Sequence, residues 1–149
     1  MVLFRKTLKI IYLPLKEKFL IIEAYFFLFY YSFLIHFIPF RWWECKVGRK
    51  MQPLNNRELT YYQRDQIKKL KRSLIRANKL FFYFGKCFAM SLSLKKMMER
   101  RGIRSTLFIG IRKDEIGNLK IHAWLNFGNI SIYGGKEAAQ NHKELLTYT

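Results

Sequence analysis

Cysteine, histidine and acidic residues are all scarce in this sequence of 149 residues. Its two cysteines, Cys45 and Cys87, are too few and too far apart for the disulfide framework of a small secreted domain. The three histidines are scattered along the chain, so no cluster has the spacing of metal ligands, and we expect neither a metal nor a cofactor. No small-residue cleavage site follows the apolar N-terminal stretch, which argues against a cleaved signal peptide. These absences favour a reducing compartment, the cytoplasm.

Acidic residues are outnumbered by basic ones, 10 against 28, and the formal net charge is +18. Such a surface favours acidic partners, whether nucleic acid, anionic lipid or an acidic peptide. The same lysines also suit ordinary solvated surface, so charge alone does not choose a partner. The sequence contains no known nucleic-acid-binding motif, and we expect no nucleic acid. Half of the residues are hydrophobic, which is enough for the core of one compact domain with an appended segment.

A run of apolar residues at 19–40 is long enough to cross a membrane. Lys16, Lys18 and Arg41 flank this run, as basic residues often flank a span. Glu23 lies inside it, and a charge in the hydrocarbon costs about 2.5 kcal/mol near the bilayer centre and less near an edge. We therefore expect a long apolar helix that packs on the domain or lies on the membrane surface, with peripheral membrane contact left open.

The chain is predicted to divide into an N-terminal apolar helical segment, 1–52, and a main domain, 53–149. In the main domain apolar positions recur at helical spacing over 59–81, and a second helix from Cys87 to Arg101 ends at Gly102. Strands follow. They are predicted at 103–113, 119–127 and 130–133, and a short amphipathic helix is predicted to close the chain. Helices followed by antiparallel hairpins indicate an α+β domain.

Cys87 lies at the predicted start of the second helix, and His122 lies on the second predicted strand. A thiol attacks as its thiolate, which the unpaired N–H groups and partial positive charge of a helix start stabilise. A neighbouring imidazole can take the thiol proton and return it to the leaving amine. Spacing alone is weak evidence for such a pair, because free cysteines are usually buried core residues.

The residues around the pair form an ordered set of short motifs. The set runs from KCFAMSLSLKKMMERRGIRSTLFIGIRK (86–113) to IHAWLNFGNISIYGG (121–135). It contains Cys87 with a Ser/Leu-rich helix, then Arg100-Arg101-Gly102-Ile103, Ile109-Gly110-Ile111 and His122-Ala123-Trp124. In this order the motifs resemble the transglutaminase-like cysteine peptidases of lasso-peptide biosynthesis, the B2 or leader-peptidase proteins. The apolar N-terminal segment, with its Glu-Ala and Pro-Phe pairs, agrees with the same family.

The resemblance implies a transglutaminase-like or papain-like α+β core, with a catalytic helix packed on a small antiparallel sheet and an N-terminal helical extension. It implies that Cys87 is the nucleophile and that His122 is the general base and acid. Trp124 is either a supporting residue of the histidine strand or a core aromatic. The implied reaction removes the leader peptide from a lasso precursor peptide. The implied partners are a small leader-binding recognition protein and an ATP-dependent lasso cyclase.

Transglutaminase-like enzymes usually have a catalytic triad of cysteine, histidine and aspartate, and here the aspartate is missing from its expected place. Families of this fold place an aspartate on the strand after the histidine, yet no acid lies between His122 and Glu137. Asn126 shares the strand face of His122 but lies four residues away, about 13 Å at ~3.3 Å per residue. A Glu137 that folds back and a main-chain carbonyl are the two alternatives, and the third role stays unassigned.

Basic residues populate one face of the first helix in the main domain. They are Arg64, Lys68, Lys71, Arg72, Arg76 and Lys79. The first four are predicted to dock the leader-binding protein; the alternative is a solvated helix face.

Two other functions stay open for the chain. It could be a non-catalytic basic protein bound to membrane or nucleic acid, which leaves the Cys–His pair unexplained. It could also be a transglutaminase-type acyltransferase, because one Cys–His pair serves both reactions.

Overall fold

The computed structural model describes residues 13–50, 58–80, 87–113, 116–135 and 142–149. The helices of this part are α1 (Leu15–Phe37), α2 (Phe40–Trp43), α3 (Tyr61–Leu80) and α4 (Cys87–Glu99), with a 3-10 turn at Glu44–Lys46. The strands are β1 (Thr106–Lys113), β2 (Leu119–Phe127), β3 (Ile130–Tyr133) and β4 (Lys143–Tyr148). The predicted α+β class is confirmed.

The four strands form one antiparallel sheet in the order β3-β2-β1-β4. β1 and β2 pair along their whole length and set Gly110 opposite His122. β3 pairs with β2 only at Leu125, Asn126 and Phe127, and the register shifts beside Leu125. Along β2, His122 therefore lies beyond the last residue that β3 covers.

The predicted tail helix is wrong, because Lys143–Tyr148 forms β4, antiparallel to β1. Without β4, the second edge of β1 would present a row of unpaired N–H and C=O groups. The pairing satisfies that edge and buries Tyr148 completely. Thr149 continues it through two backbone hydrogen bonds with Arg49, of 3.0 and 3.1 Å.

The main core lies between one face of the sheet and the three long helices. From α4 it takes Leu94 and Met98, and from the sheet it takes Leu107 and Leu125, none of which is exposed to solvent. α4 ends where the sequence predicted: Gly102 has a φ of +71°, and the N–H of the next residue donates to a carbonyl of the last helical turn.

The apolar segment forms α1, and one side of this helix belongs to the core. Ala24 and Leu28 on that side are at most 2% exposed. The carboxylate of Glu23 pairs with Arg101 at 2.7 Å, which accounts for an acid within the apolar run. By length and composition alone α1 could also cross a membrane. Its contacts are those of a helix packed on the domain, one of the two predicted arrangements. The boundary at residue 52 stays a prediction, since 51–57 lie outside the described residues.

Candidate active site

Cys87 is the first residue of α4, and its side chain is partly exposed. The unpaired N–H groups of a helix lie at this end and favour a negative charge there. No acidic residue occurs in the first turn of α4 to oppose that effect. The position of Cys87 therefore suits a thiolate nucleophile.

Ser91 lies one turn after Cys87 and fixes α4 against the histidine strand. Its Oγ donates a hydrogen bond of 3.2 Å to the carbonyl of Ala123, the residue that follows His122, and Ser91 is fully buried. Tyr133 is the last residue of β3 and packs against the main core. Burial raises the pKa of the Tyr133 hydroxyl, and the nearby charge of the Cys87 thiolate raises it further.

His122 lies on the sheet face that points away from α4. Ala123 belongs to the main core, whereas Trp124 and Phe108 form a separate small cluster. Because side chains alternate along a strand, His122 shares the face of Trp124. The two rings lie 6.4 Å apart, only 17° from parallel.

The imidazole of His122 is held by a main-chain carbonyl. Its Nε2 lies 3.1 Å from the oxygen of Gly134. A carbonyl only accepts hydrogen bonds, so Nε2 carries the hydrogen, and the neutral ring then has a bare Nδ1 that can take a proton. A main-chain carbonyl was one of the two alternatives for the third triad member, and that role of Gly134 stays a prediction. Glu137, the other alternative, lies outside the described residues.

Cys87 and His122 belong to opposite faces of the sheet: Cys87 begins the helix that packs on the core face, and the ring of His122 stacks on Trp124 on the other face. The ring of His122 contacts the carbonyl of Gly134, which follows the last residue of β3. Among the described residues β3 does not extend past this point, so the edge of β2 at His122 has no strand partner on that side. Within the same residues no hydrogen bond joins the thiol to the ring. Catalytic hydrogen bonds are often long before substrate binds.

Two glycines make room for Trp124 behind the histidine. A Cβ on Gly110 would lie 2.8 Å from the indole ring, and a Cβ on Gly134 would lie 2.5 Å from the Cβ of Trp124. The indole is 1% exposed and stacks on Phe108 with centroids 5.5 Å apart. Trp124 is therefore a buried core aromatic that also contacts His122. Its supporting role in catalysis stays a prediction.

His142 is a neighbour of the site that sequence analysis missed. Its ring lies 5.2 Å from that of His122 and 6.3 Å from that of Trp124. Only the pairing of β4 with β1 brings it there, and no spacing in the sequence signals that pairing. Among the described residues no group of three or more His, Cys, Asp or Glu side chains could hold a metal ion.

The predicted docking residues on α3 differ in what they contact. The Nζ of Lys71 donates to the carbonyl of Ile132 at 2.9 Å, so this lysine ties α3 to β3. Arg64 donates to the carbonyl of Leu59 and Arg72 to that of Lys68. Arg64, Lys68 and Arg72 are exposed, whereas Lys71 is half-buried.

A thiol at a helix start, packed on an antiparallel sheet whose neighbouring strand carries a histidine, is the architecture of cysteine peptidases and of acyltransferases that share their chemistry. The sequence profile of the transglutaminase-like superfamily matches residues 34–147. This match covers well over half of the chain, so the chain belongs to the transglutaminase-like superfamily. Members of that superfamily are generally enzymes of the cysteine peptidase or transferase type. No curated protein and no solved structure matches the chain.

Proposed function

We propose that this protein is a cysteine peptidase that removes the leader peptide from a lasso precursor, with Cys87 as nucleophile and His122 as general base and acid. One observation supports this most: a transglutaminase-like domain spans residues 34–147, and it carries a thiol at the start of α4 and, on the adjoining sheet, an imidazole held by the carbonyl of Gly134. The lasso substrate rests on the motifs that the chain shares with the leader peptidases.

The proposed reaction proceeds through an acyl-enzyme. The Nδ1 of His122 takes the proton of the Cys87 thiol, and the sulfur attacks the scissile carbonyl carbon. As the C–N bond breaks, the imidazolium gives its proton to the leaving amine. A water molecule, deprotonated by His122, then attacks the thioester, and the thiol is regenerated as the leader carboxylate leaves. The Gly134 carbonyl keeps the ring oriented through both halves.

Two partners follow from the proposed reaction. A small leader-binding protein would hold the leader, and the exposed Arg64, Lys68 and Arg72 on α3 are the candidate docking surface. An ATP-dependent cyclase would receive the freed core peptide. A partner that holds the leader raises the local concentration of the scissile bond, into the mM range for a short tether.

Transfer of the acyl group to an amine is the second candidate reaction. The first half of the mechanism is the same, and the superfamily includes transferases. The two differ in whether water or an amine resolves the thioester. Precursor incubated with the enzyme and an added primary amine distinguishes them by mass, because a transferase leaves an amide on the new carboxyl end.

The test of the proposal is leader removal by three single variants, followed by mass spectrometry of the precursor. We expect Cys87→Ala to abolish cleavage and His122→Ala to lower its rate by about a hundredfold or more. Cys45→Ala is the matched control: it also loses a thiol, but an exposed one outside α4, and should cleave normally. Circular dichroism checks that each variant is folded. Full cleavage by the Cys87 variant would rule out the mechanism.

A further inference from the structure

α1 exposes a row of large apolar side chains on the side that faces away from the core. They are Leu15, Phe19, Ile22, Phe26, Phe29, Phe33 and Phe37, each between 46% and 73% exposed. Their three- and four-residue spacing places them on one side of the helix, and we call this row the α1 stripe. It is about 33 Å long at 1.5 Å per residue. Contiguous apolar surface of this size marks an interaction site.

The fold itself does not need the α1 stripe. The opposite side of α1 supplies the core contacts, through residues such as Ala24, Leu28 and Tyr31. Glu17 and Glu23 are paired with Arg76 and Arg101, which ties the helix to the rest of the domain. Polar side chains along the stripe would leave these contacts intact. The aromatic side chains of the α1 stripe are therefore explained by an interaction with something outside the domain.

Basic residues border the α1 stripe at both ends. At 3.6 residues per turn, Lys16 and Lys18 lie to either side of the line from Leu15 to Phe19. Exposed Arg41 follows the other end, beside Trp42, which is 74% exposed. The border of the stripe is therefore cationic.

We infer that the α1 stripe lies on the surface of an anionic lipid bilayer, with α1 parallel to the membrane plane. The phenylalanine and leucine side chains enter the boundary between head groups and acyl chains, and the lysines meet lipid phosphates. A span would pull the other side of α1 out of the core and separate Glu23 from Arg101. A second copy is the weaker occupant, because each copy has a formal charge of +18 and two would repel.

The test is sedimentation of the full chain with lipid vesicles. We expect binding to vesicles of phosphatidylcholine and phosphatidylglycerol in equal parts, and little binding to phosphatidylcholine alone. Replacement of Phe19, Phe26 and Phe33 by Ser should weaken binding at least about tenfold. A Tyr61→Ser/Tyr62→Ser variant is the matched control, since it removes two exposed aromatic rings from α3 and should bind normally.

A second variant keeps the inference testable if the serine variant folds poorly. Lys16→Gln/Lys18→Gln leaves the stripe intact and should weaken binding about fivefold for each lysine, with a further loss in high salt. Unchanged vesicle binding by both variants would overturn the inference. A different result would also overturn it: the wild-type protein does not bind vesicles but self-associates in sedimentation velocity, and the serine variant does not self-associate. The α1 stripe would then join two copies.

Discussion

At the scale of single residues, the contact between His122 and Gly134 separates two tasks that a carboxylate performs together in most triads. The carbonyl fixes which nitrogen carries the hydrogen and how the ring is turned. It brings no negative charge to stabilise the imidazolium that forms when the thiol gives up its proton. In the proposed mechanism His122 therefore depends on orientation, and the orientation depends on where the backbone of Gly134 lies.

Gly134→Ala should lower the rate of cleavage by tenfold to a hundredfold, as misplacing a catalytic group by about 1 Å does. The added Cβ would lie 2.5 Å from that of Trp124 and would push the carbonyl away from His122. Gly135→Ala is the matched control, because Gly135 also has a positive φ, +88°, but has nothing within 4 Å of a Cβ. In both variants the strained φ lowers the free energy of unfolding by about 1–3 kcal/mol. Single-turnover cleavage and thermal unfolding measure the two effects. Equal losses of activity in both would trace the effect to backbone strain and not to Trp124.

At the scale of elements, the outer face of α3 is basic, and part of that charge serves the fold. Lys69 pairs with Asp65 on the same helix at 2.6 Å, and Lys71 binds the carbonyl of Ile132. Lys68 and Arg72 remain exposed on this face. A docking test should change those two and leave Lys71 alone, because losing its contact with β3 would disturb the site.

Lys68→Glu/Arg72→Glu should raise the precursor concentration needed for half-maximal cleavage in the presence of the leader-binding protein. Charges at an interface act mainly on association and are screened by salt, so added salt should weaken the wild-type protein in the same direction. Cleavage without the partner should barely change. Arg112→Glu/Lys113→Glu, an equal change of charge on exposed residues of β1, is the control. If neither the reversal nor salt affects cleavage with the partner, docking lies elsewhere.

Local patterns predicted most elements well. The helical spacing over 59–81 anticipated α3, the cysteine and Gly102 bracketed α4, and β2 and β3 have the predicted bounds. β4 could not be predicted, because its reason to be a strand is the open edge of β1, which is not visible in the local sequence. The register shift beside Leu125 was missed for a similar reason. The strand pairings that surround the site, β4 with β1 and the shifted register of β3 on β2, therefore could not be predicted from local sequence patterns.

At the scale of the whole molecule, a side-chain hydrogen bond adds to the backbone bonds between Arg49 and Thr149 that tie the C-terminal end to the helical half. The hydroxyl of Tyr148 donates to Oε1 of Glu44 at 2.6 Å, and the Nζ of Lys50 lies 2.7 Å from the same oxygen. Burial raises the pKa of Tyr148, and the bond to Glu44 raises it further. Below pH 10 the phenol is neutral in the folded and the unfolded protein. Above that pH it ionises first in the unfolded chain, so the free energy of unfolding falls as pH rises.

In Tyr148→Phe the free energy of unfolding should fall less steeply above pH 10, because no phenol is left to ionise at this position. At neutral pH the variant should be about 1 kcal/mol less stable, the usual net contribution of one hydrogen bond. Urea unfolding between pH 8 and roughly pH 11, a range chosen around the ordinary tyrosine pKa, measures both effects. The control is Tyr62→Phe, at a side chain that is 69% exposed. A slope with pH that is the same in both variants would show that Tyr148 does not carry the effect.

The same bond has a consequence for the order in which the chain folds. It joins positions 104 residues apart, whereas the β1–β2 and β2–β3 hairpins join near neighbours. Short loops close at a lower entropic cost, so we expect the hairpins to form before the rate-limiting barrier and the contact of Tyr148 with Glu44 to form after it. Contacts made late leave the refolding rate unchanged and, when lost, speed unfolding. The hydroxyl of Tyr148 would then slow the unfolding of the protein without changing the rate at which it folds.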